Sequence, residues 1–312
     1  FVGRENEMKK LHEETGLGKF GVIAAVHGMG GLGKTSIAIQ YAYAYSHFYP
    51  GGRWQIGCEG KSSLAGVLRE LDTALDIYLT DEEKKDDKLA AERILRELEK
   101  RAVQGANAIN RKKTTKKKIS PATLLILDNV DKAQLIQSPE IDILTGKKWL
   151  KLLVTTRMGE EDLGYDKERQ SLITIDELPQ EDALKLIESY QKGRIFPHEK
   201  EREAAKEIVK LLDGFTLAVE MTAIYLRDTN YRVSCQDFLK LLKSKGGLVG
   251  AELAAKQSKT SIRHEKLISL TLAPTLEKLS EEEKLVLSYA SQLPPDNIPI
   301  PWLKDLVKEK FP

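Results

Sequence analysis

Residues Phe20 to Ser46 read FGVIAAVHGMGGLGKTSIAIQYAYAYS, an apolar run, a glycine-rich turn and a second apolar segment. The middle matches the pattern G-x-x-x-x-G-K-[ST], with Gly28, Gly33, Lys34 and Thr35 in the fixed places. Each residue type has a physical task in such a phosphate loop. Glycines let backbone N–H groups curl around phosphate oxygens with no Cβ in the way. The helix that follows points its first N–H groups and its dipole at the same anion. Lys34 then supplies a compact positive charge to the terminal phosphates, and the Thr35 hydroxyl a ligand for Mg²⁺.

The flanks suit that chemistry. Phe20–Val26 is short, apolar and partly β-branched, as a buried parallel strand should be. Ile37, Ala38, Tyr41, Ala42 and Tyr45 recur at helical spacing after the loop. Strand, loop and helix together predict a nucleotide di- or triphosphate site.

Composition narrows the remaining possibilities. The 49 basic and 47 acidic residues leave a formal charge of +2, so no global field recruits nucleic acid or membrane. Cys58 and Cys235 form neither a disulfide framework nor a metal cluster and fit thiols of a reducing, cytoplasmic compartment. No apolar run is long enough to span a bilayer. The length suits two or three domains, and a start at Phe1 with an end at Pro312 suggests a piece of a larger protein.

Upstream, Val2-Gly3-Arg4-Glu5 precedes an amphipathic helix over Glu5–Glu14 with Met8 and Leu11 on one face. Arg4 there either lies across a nucleotide base or simply precedes a helix whose acidic first turn suits its dipole. Downstream, Arg53–Gly57 reads as a strand, and Ser62–Leu75 and Asp87–Ala102 as helices, the latter with a stripe of Leu89, Ile94, Leu95 and Leu98. The run Arg111–Lys118 is either a nucleic-acid or acidic-lipid contact or a solvated loop. It has no aromatic for base stacking, which weighs against nucleic acid.

Thr123–Val130 (TLLILDNV) reads as a buried strand delivering Asp128 to a metal. A second acid commonly follows such an aspartate. Here Asn129 stands there and cannot take a proton, so slow hydrolysis and a product-bound resting state are expected, with Asp131 the nearest substitute acid. Lys151–Arg157 is another strand, placing Thr155, Thr156 and Arg157 at the ligand-binding edge. Arg157 reads either as a sensor of the terminal phosphate or as half of a structural ion pair. Ser171–Ile175 makes a short final strand.

Beyond Gln180 the pattern is helical: Glu181–Gln191, Glu199–Leu212, Thr216–Leu226 and Gln236–Lys243, with Gly214 as a helix stop. A Gly/Ala-rich stretch, Lys245–Thr260, reads as a hinge. Helices Glu265–Leu279, Ser280–Gln292 and Ile300–Lys310 follow, the second opening on a capping box of Ser280 and Glu283.

Taken together, Val2–Glu5, Gly28–Thr35 (GMGGLGKT), Leu125–Asp128, Leu153–Arg157 and Asp213–Ala218 resemble the NB-ARC module of STAND-class signalling ATPases. The resemblance covers nearly the whole chain. It implies a five-stranded parallel α/β sheet flanked by helices with the phosphate-loop strand in the middle, then an all-α four-helix domain and the start of a winged helix. The matching boundaries are 1–165, 166–246, a linker at 247–262, and 263–312. It also implies ADP or ATP with Mg²⁺ as ligands. Val2, Gly3, Arg4, Gly28, Met29, Gly30, Gly31, Leu32, Gly33, Lys34, Thr35 and Ser36 would contact the nucleotide, joined by Thr216 and Leu217 from the helical domain. Thr35 and Asp128 would bind the metal, and Lys34, Asp128, Asn129 and Arg157 would act on the phosphates. The usual Gly-Leu-Pro-Leu-Ala reads Gly214-Phe-Thr-Leu-Ala218 here, so Thr216 stands where proline lines the adenine pocket.

The implied function is a molecular switch in immunity, cell death or stress signalling, closed with ADP and open and self-associating with ATP. An effector domain before this segment and a sensor after it would be its partners. A STAND-type transcription activator and a multiple-turnover AAA+-like ATPase acting on nucleic acid are the alternatives.

Overall fold

The structure, a computed structural model, describes residues 1–25, 30–112, 118–164, 166–229, 232–253, 260–293 and 298–310. The chain divides into two compact units, Phe1–Leu178 and Pro179–Pro312. The first is built on strands β1 (Phe20–Ala25), β2 (Arg53–Gly57), β3 (Thr123–Val130), β4 (Leu150–Thr156) and β5 (Gln170–Ile175). They form one sheet in the order β2-β3-β4-β1-β5, and each adjacent pair is parallel. Leu124, Leu125, Ile126 and Leu127 of β3 are all buried, as the unbroken apolar run of a sheet covered on both faces requires.

Helices α1 (Glu5–Gly16), α2 (Lys34–Ala44), α3 (Leu64–Arg69), α4 (Asp87–Lys112) and the single turn α5 (Glu160–Leu163) complete the first unit. Met8 and Leu11 are buried on α1, as the periodicity predicts. The α/β sheet flanked by helices is the predicted fold, with one change of order. β1 lies inside the sheet between β4 and β5, and β4 holds the central place.

Three other expectations change. β5 pairs with β1 along its whole length, from Phe20↔Gln170 to Ala25↔Ile175, so residues 166–178 belong with the sheet and the first unit closes at Leu178 rather than at 165. The helix expected over Ser62–Leu75 stops at Arg69 and continues as turns. Leu71 N–H reaches Leu68 O at 3.0 Å and Leu75 N–H reaches Leu71 O at 2.9 Å, which keeps both leucines buried at near-helical spacing. α4 runs ten residues past the expected Ala102, and Leu89 of its supposed stripe is exposed.

Sterics select the small residues along this part of α4. A Cβ on Gly105 would lie 2.0 Å from Pro50 O, and one on Gly51 would lie 2.5 Å from Ala102 Cα. The turn at Pro50–Gly51 thus presses backbone against helix, and only Ala102, Gly105 and Ala106 fit on that face. Beyond Lys112, residues 113–117 of the basic run are outside the described residues. Asn110 closes their base, accepting the Ile119 N–H at 2.7 Å and donating to Ile119 O at 2.9 Å.

The second unit holds α6 (Gln180–Tyr190), α7 (Glu199–Leu211), α8 (Thr216–Asp228), α9 (Cys235–Leu253), α10 (Thr260–Leu276), α11 (Glu281–Ala290) and α12 (Ile300–Lys310). α6 packs on α7 and α8, and α7 on α9. Glu201, buried on α7, accepts the Cys235 N–H at 2.6 Å and the Gln236 side-chain amide at 2.9 Å, so a carboxylate satisfies the start of α9. Gly214, at φ 69°, turns the chain after α7 and donates to Val209 O, as its predicted stop role requires. The capping box is present: Glu283 N–H reaches Ser280 Oγ at 3.2 Å and Ser280 N–H reaches Glu283 Oε2 at 2.8 Å.

Of the expected linker at 247–262, the described residues 247–253 and 260–262 are helical. α9 continues to Leu253 through Gly246 and Gly247, and α10 begins at Thr260, while residues 254–259 and the proline-rich turn at 294–297 are outside the described residues. Among the described residues no helix is long and apolar enough to cross a membrane.

Candidate functional site

The site assembles at the carboxyl ends of β1, β3 and β4. β1 ends at Ala25 and α2 opens at Lys34. Of the loop between them, Gly28 and Met29 are outside the described residues, while Gly30, Gly31, Leu32 and Gly33 are described. Gly31 at φ 81° and Gly33 at φ 91° occupy the left-handed region that a side chain would strain. Gly33 immediately precedes α2, and no side chain caps that helix start. The first N–H groups of a helix that opens so can serve a bound anion. Leu32 is buried as an apolar anchor, and Ser36 is exposed on the first turn of α2.

Lys34 is only 8% exposed. Burial, helped by the nearby Arg157 charge and opposed by Asp128, pulls its ammonium down to about 8. A bound phosphate would favour the charged form of a lysine so buried. Arg157, at the end of β4, is exposed and enters no ion pair among the described residues, so the structural pair considered for it is not found there.

Thr35 Oγ1 donates to Asp128 Oδ1 at 2.8 Å, bringing together the two residues predicted to hold Mg²⁺. The Thr155 hydroxyl donates to the same carboxylate oxygen, and Gln55 Nε2 donates to Asp128 Oδ2 at 2.9 Å. Three donors from α2, β4 and β2 thus fix the carboxylate. Among the described residues no group of three His, Cys, Asp or Glu side chains could hold a metal. A divalent ion here would take these two protein oxygens and complete its shell from phosphate and water, the usual habit of Mg²⁺. The residues fit both nucleotide and ion.

Asn129 sits at φ 58°, its N–H donating to Thr155 Oγ1 at 2.9 Å and its side-chain amide to Glu59 Oε2 at 2.7 Å. Asp131, named from sequence as the substitute acid, instead accepts the Gly60 N–H at 2.9 Å. Gln55 and Glu59 were not foreseen. The signal for them was spatial: β2 pairs with β3 in the register Gly57↔Asp128, which brings residues after 57 alongside those after 128.

Arg4 is 8% exposed at φ 69°, just before α1. Its guanidinium donates to Asp176 O, beyond the carboxyl end of β5, and pairs with Glu7 Oε1 at 3.3 Å. Val2 is half-buried, and Gly3, at φ 72°, is buried beside it. β5 borders β1, so this N-terminal segment is tied to the sheet edge from which the phosphate loop departs. Thr216 and Leu217 lie in the second unit as the first two residues of α8, after a Phe215 stacked 3.9 Å over His264. Cys58 and Cys235 are buried and unpaired, and burial chiefly, with Asp128 or Glu201 nearby, pushes each thiol up to about 12.

This chain is 28% identical over 228 residues to Regulatory protein AfsR of Streptomyces griseus, a match covering 72% of this chain and 20% of that protein. The chain thus spans about a fifth of that relative's length. Among solved structures it is similar to the Aeropyrum pernix ORC2 protein in its ADPNP–ADP complexes, at TM-score 0.45 and 13% identity over 98% of this chain and 79% of that one. It is also similar to the FIGL-1 AAA domain in complex with ADP, at TM-score 0.37 and 15% identity over 73% of each chain. The NB-ARC domain family matches residues 4–194, more than half of the sequence and the span that contains the phosphate loop, Asp128 and Arg157. The chain belongs to the NB-ARC family.

Proposed function

We propose that this chain is the adenine-nucleotide switch of a longer regulatory protein, with ADP holding a closed resting state and ATP permitting opening and self-association. The observation that carries the reading is the Thr35–Asp128 contact at 2.8 Å beneath the uncapped start of α2. Thr35 and Asp128 would hold Mg²⁺, whose charge offsets that of the phosphate oxygens. Gly28–Gly33 and the first N–H groups of α2 would cradle the phosphates, Lys34 would bind their terminal oxygens, and Arg157 would sense the last of them. Arg4, with Val2 and Gly3, would flank the base. Thr216 and Leu217 would contribute to the adenine pocket, with a hydroxyl in place of a proline ring.

A switch rather than a multiple-turnover motor is the reading kept, with Asn129 in place of the acid that commonly follows such an aspartate and any base supplied by another element. Effector and sensor domains elsewhere in the protein would couple to the switch, and the buried, unpaired thiols support a cytoplasmic setting. Immunity, cell death or stress signalling are the outputs first considered. A second reading is a STAND-type transcription activator whose DNA contacts lie outside this segment; the similarity to a regulatory protein supports a regulatory role for either.

The test is light scattering of the chain with ADP·Mg²⁺ and with a slowly hydrolysed ATP analogue, beside a thermal melt. ADP at about 1,000 times its dissociation constant should stabilise the fold by about 4 kcal/mol. The analogue should favour association. A melting temperature unmoved by either nucleotide ends the nucleotide reading, and an identical assembly state with both ends the switch.

A further inference from the structure

The position after Asp128 needs a proton acceptor for efficient hydrolysis, and Asn129 is not one. A carboxylate nevertheless reaches that position from the neighbouring strand. Glu59 follows the end of β2, and its Oε2 accepts the Asn129 side-chain amide at 2.7 Å. The segment that presents it is held twice to β3's continuation. Gly60 N–H donates to Asp131 Oδ2 at 2.9 Å, and Lys132 Nζ donates to Gly60 O at 3.0 Å. Gln55, four residues earlier, holds Asp128 itself. The other oxygen of Glu59, Oε1, has no hydrogen-bond partner among the described residues, and the side chain is exposed at the sheet's carboxyl edge.

We propose that Glu59 is the general base for nucleotide hydrolysis in this chain, with Asn129 as the residue that positions it. The acid comes from the end of β2, and an amide stands after the metal-binding aspartate on β3. The inference rests on the nucleotide reading above, with ATP as substrate. In the step assigned to Glu59, a water oxygen forms a bond to the γ-phosphorus as its proton passes to the Glu59 carboxylate. The bond from that phosphorus to the β–γ bridging oxygen breaks, and ADP leaves with the electron pair on that oxygen. Glu59 then returns its proton to phosphate or solvent. Asp131 accepts the Gly60 N–H and so holds the segment that presents Glu59.

The test compares Glu59→Gln with wild type in the whole chain. Glutamine keeps an oxygen to accept the Asn129 amide but cannot take a proton, so a purely structural Glu59 would tolerate it. Calorimetric Mg²⁺·ATP affinity should stay within about twofold, while single-turnover hydrolysis should slow by about 100-fold, the usual scale of a lost general base. The nucleotide extracted from freshly purified protein should change from mostly ADP in wild type to mostly ATP in Glu59→Gln. Adding Asn129→Asp to Glu59→Gln returns a carboxylate to the same spot and should recover at least about tenfold of the loss. Hydrolysis by Glu59→Gln at the wild-type rate, with ADP still bound, overturns the proposal. So does a wild-type chain that binds Mg²⁺·ATP without hydrolysing it. A wild-type chain that binds no nucleotide removes the underlying reading as well, which separates the two failures.

Discussion

Thr155 holds Asp128 across two strands: its buried hydroxyl donates to Asp128 Oδ1 and at the same time accepts the Asn129 N–H at 2.9 Å. Valine at 155 has the same shape but neither capacity. It would leave the Asn129 N–H unsatisfied and one carboxylate oxygen short of a donor. Thr155→Val should therefore cost about 1–3 kcal/mol. A thermal melt should fall by roughly 2–4 °C per kcal/mol, and the benefit of Mg²⁺ to ADP binding should shrink. Serine at 155 keeps the hydroxyl and should preserve that benefit. A valine variant that melts and binds like wild type would show that Asp128 needs no such support.

Lys34 supplies a pH prediction. Its folded value of about 8 lies below the free lysine value of 10.5, so between those pH values the unfolded chain holds the extra proton. Stability of the nucleotide-free protein should accordingly rise with pH across that window. Nucleotide phosphates favour the charged lysine, so binding near pH 8 should take up protons, and affinity should weaken above it by up to about tenfold per pH unit. Calorimetry in two buffers of different ionisation enthalpy measures the uptake. Lys34→Ala should abolish it along with most of the affinity, and zero uptake by wild type would contradict the assignment.

Gly105→Ala tests the backbone contact that shapes α4. The added methyl would meet Pro50 O at 2.0 Å, and backbone cannot swing aside as a side chain can. The substitution should cost about 1–3 kcal/mol despite alanine's better helix propensity, seen as a lower midpoint in urea. A gain in stability would mean that the turn at Pro50–Gly51 yields freely.

The proposed part of the second unit in adenine binding predicts a difference between fragments. A chain ending at Leu178 keeps every strand and should fold, whereas one cut near 165 loses β5 and exposes an edge of β1. ADP should bind the 1–178 fragment about tenfold more weakly than the whole chain, a difference of about 1.4 kcal/mol. Thr216→Pro should narrow the pocket and tighten binding by the whole chain. The backbone accepts it, because Thr216 opens α8 and Phe215 at ψ 107° already has the extended form favoured before proline. Equal affinities for fragment and whole chain would remove Thr216 and Leu217 from the site.

The basic run should prove dispensable. Asn110 clasps Ile119 on both sides of its backbone, so replacing 112–118 by a short glycine-serine bridge should leave nucleotide affinity unchanged. Were the run neutralising about five phosphates, DNA binding would fall with salt at a log–log slope of about −4.5. A gel shift that survives physiological salt and vanishes on replacement would overturn the expectation.

What could be read from sequence was set by local rules. The strand–loop–helix around Lys34, the buried run ending in Asp128 and the capping box at Ser280 each follow from residue types a few positions apart. What escaped depends on partners far along the chain. Past its leucines, the face of α4 toward Pro50–Gly51 admits only small residues, a pattern that resembles no stripe. α9 continues through Gly246 and Gly247, although each glycine costs a helix about 1 kcal/mol, so the local composition that suggested a hinge did not decide the backbone there. Glu59 stayed hidden because it meets Asn129 only once β2 lies beside β3.

The strand order also sets a timetable for synthesis. β1 is the first strand made, yet its neighbours are β4 and β5, the last two. On the ribosome it stays without both partners until Ile175 has emerged. At 5–20 residues per second that delay is on the order of ten seconds or more. A nascent chain should therefore acquire nucleotide late and all at once. Ribosome-bound intermediates stalled before residue 175 should be easily proteolysed whether or not ADP is supplied, and those stalled well beyond it should be protected by ADP.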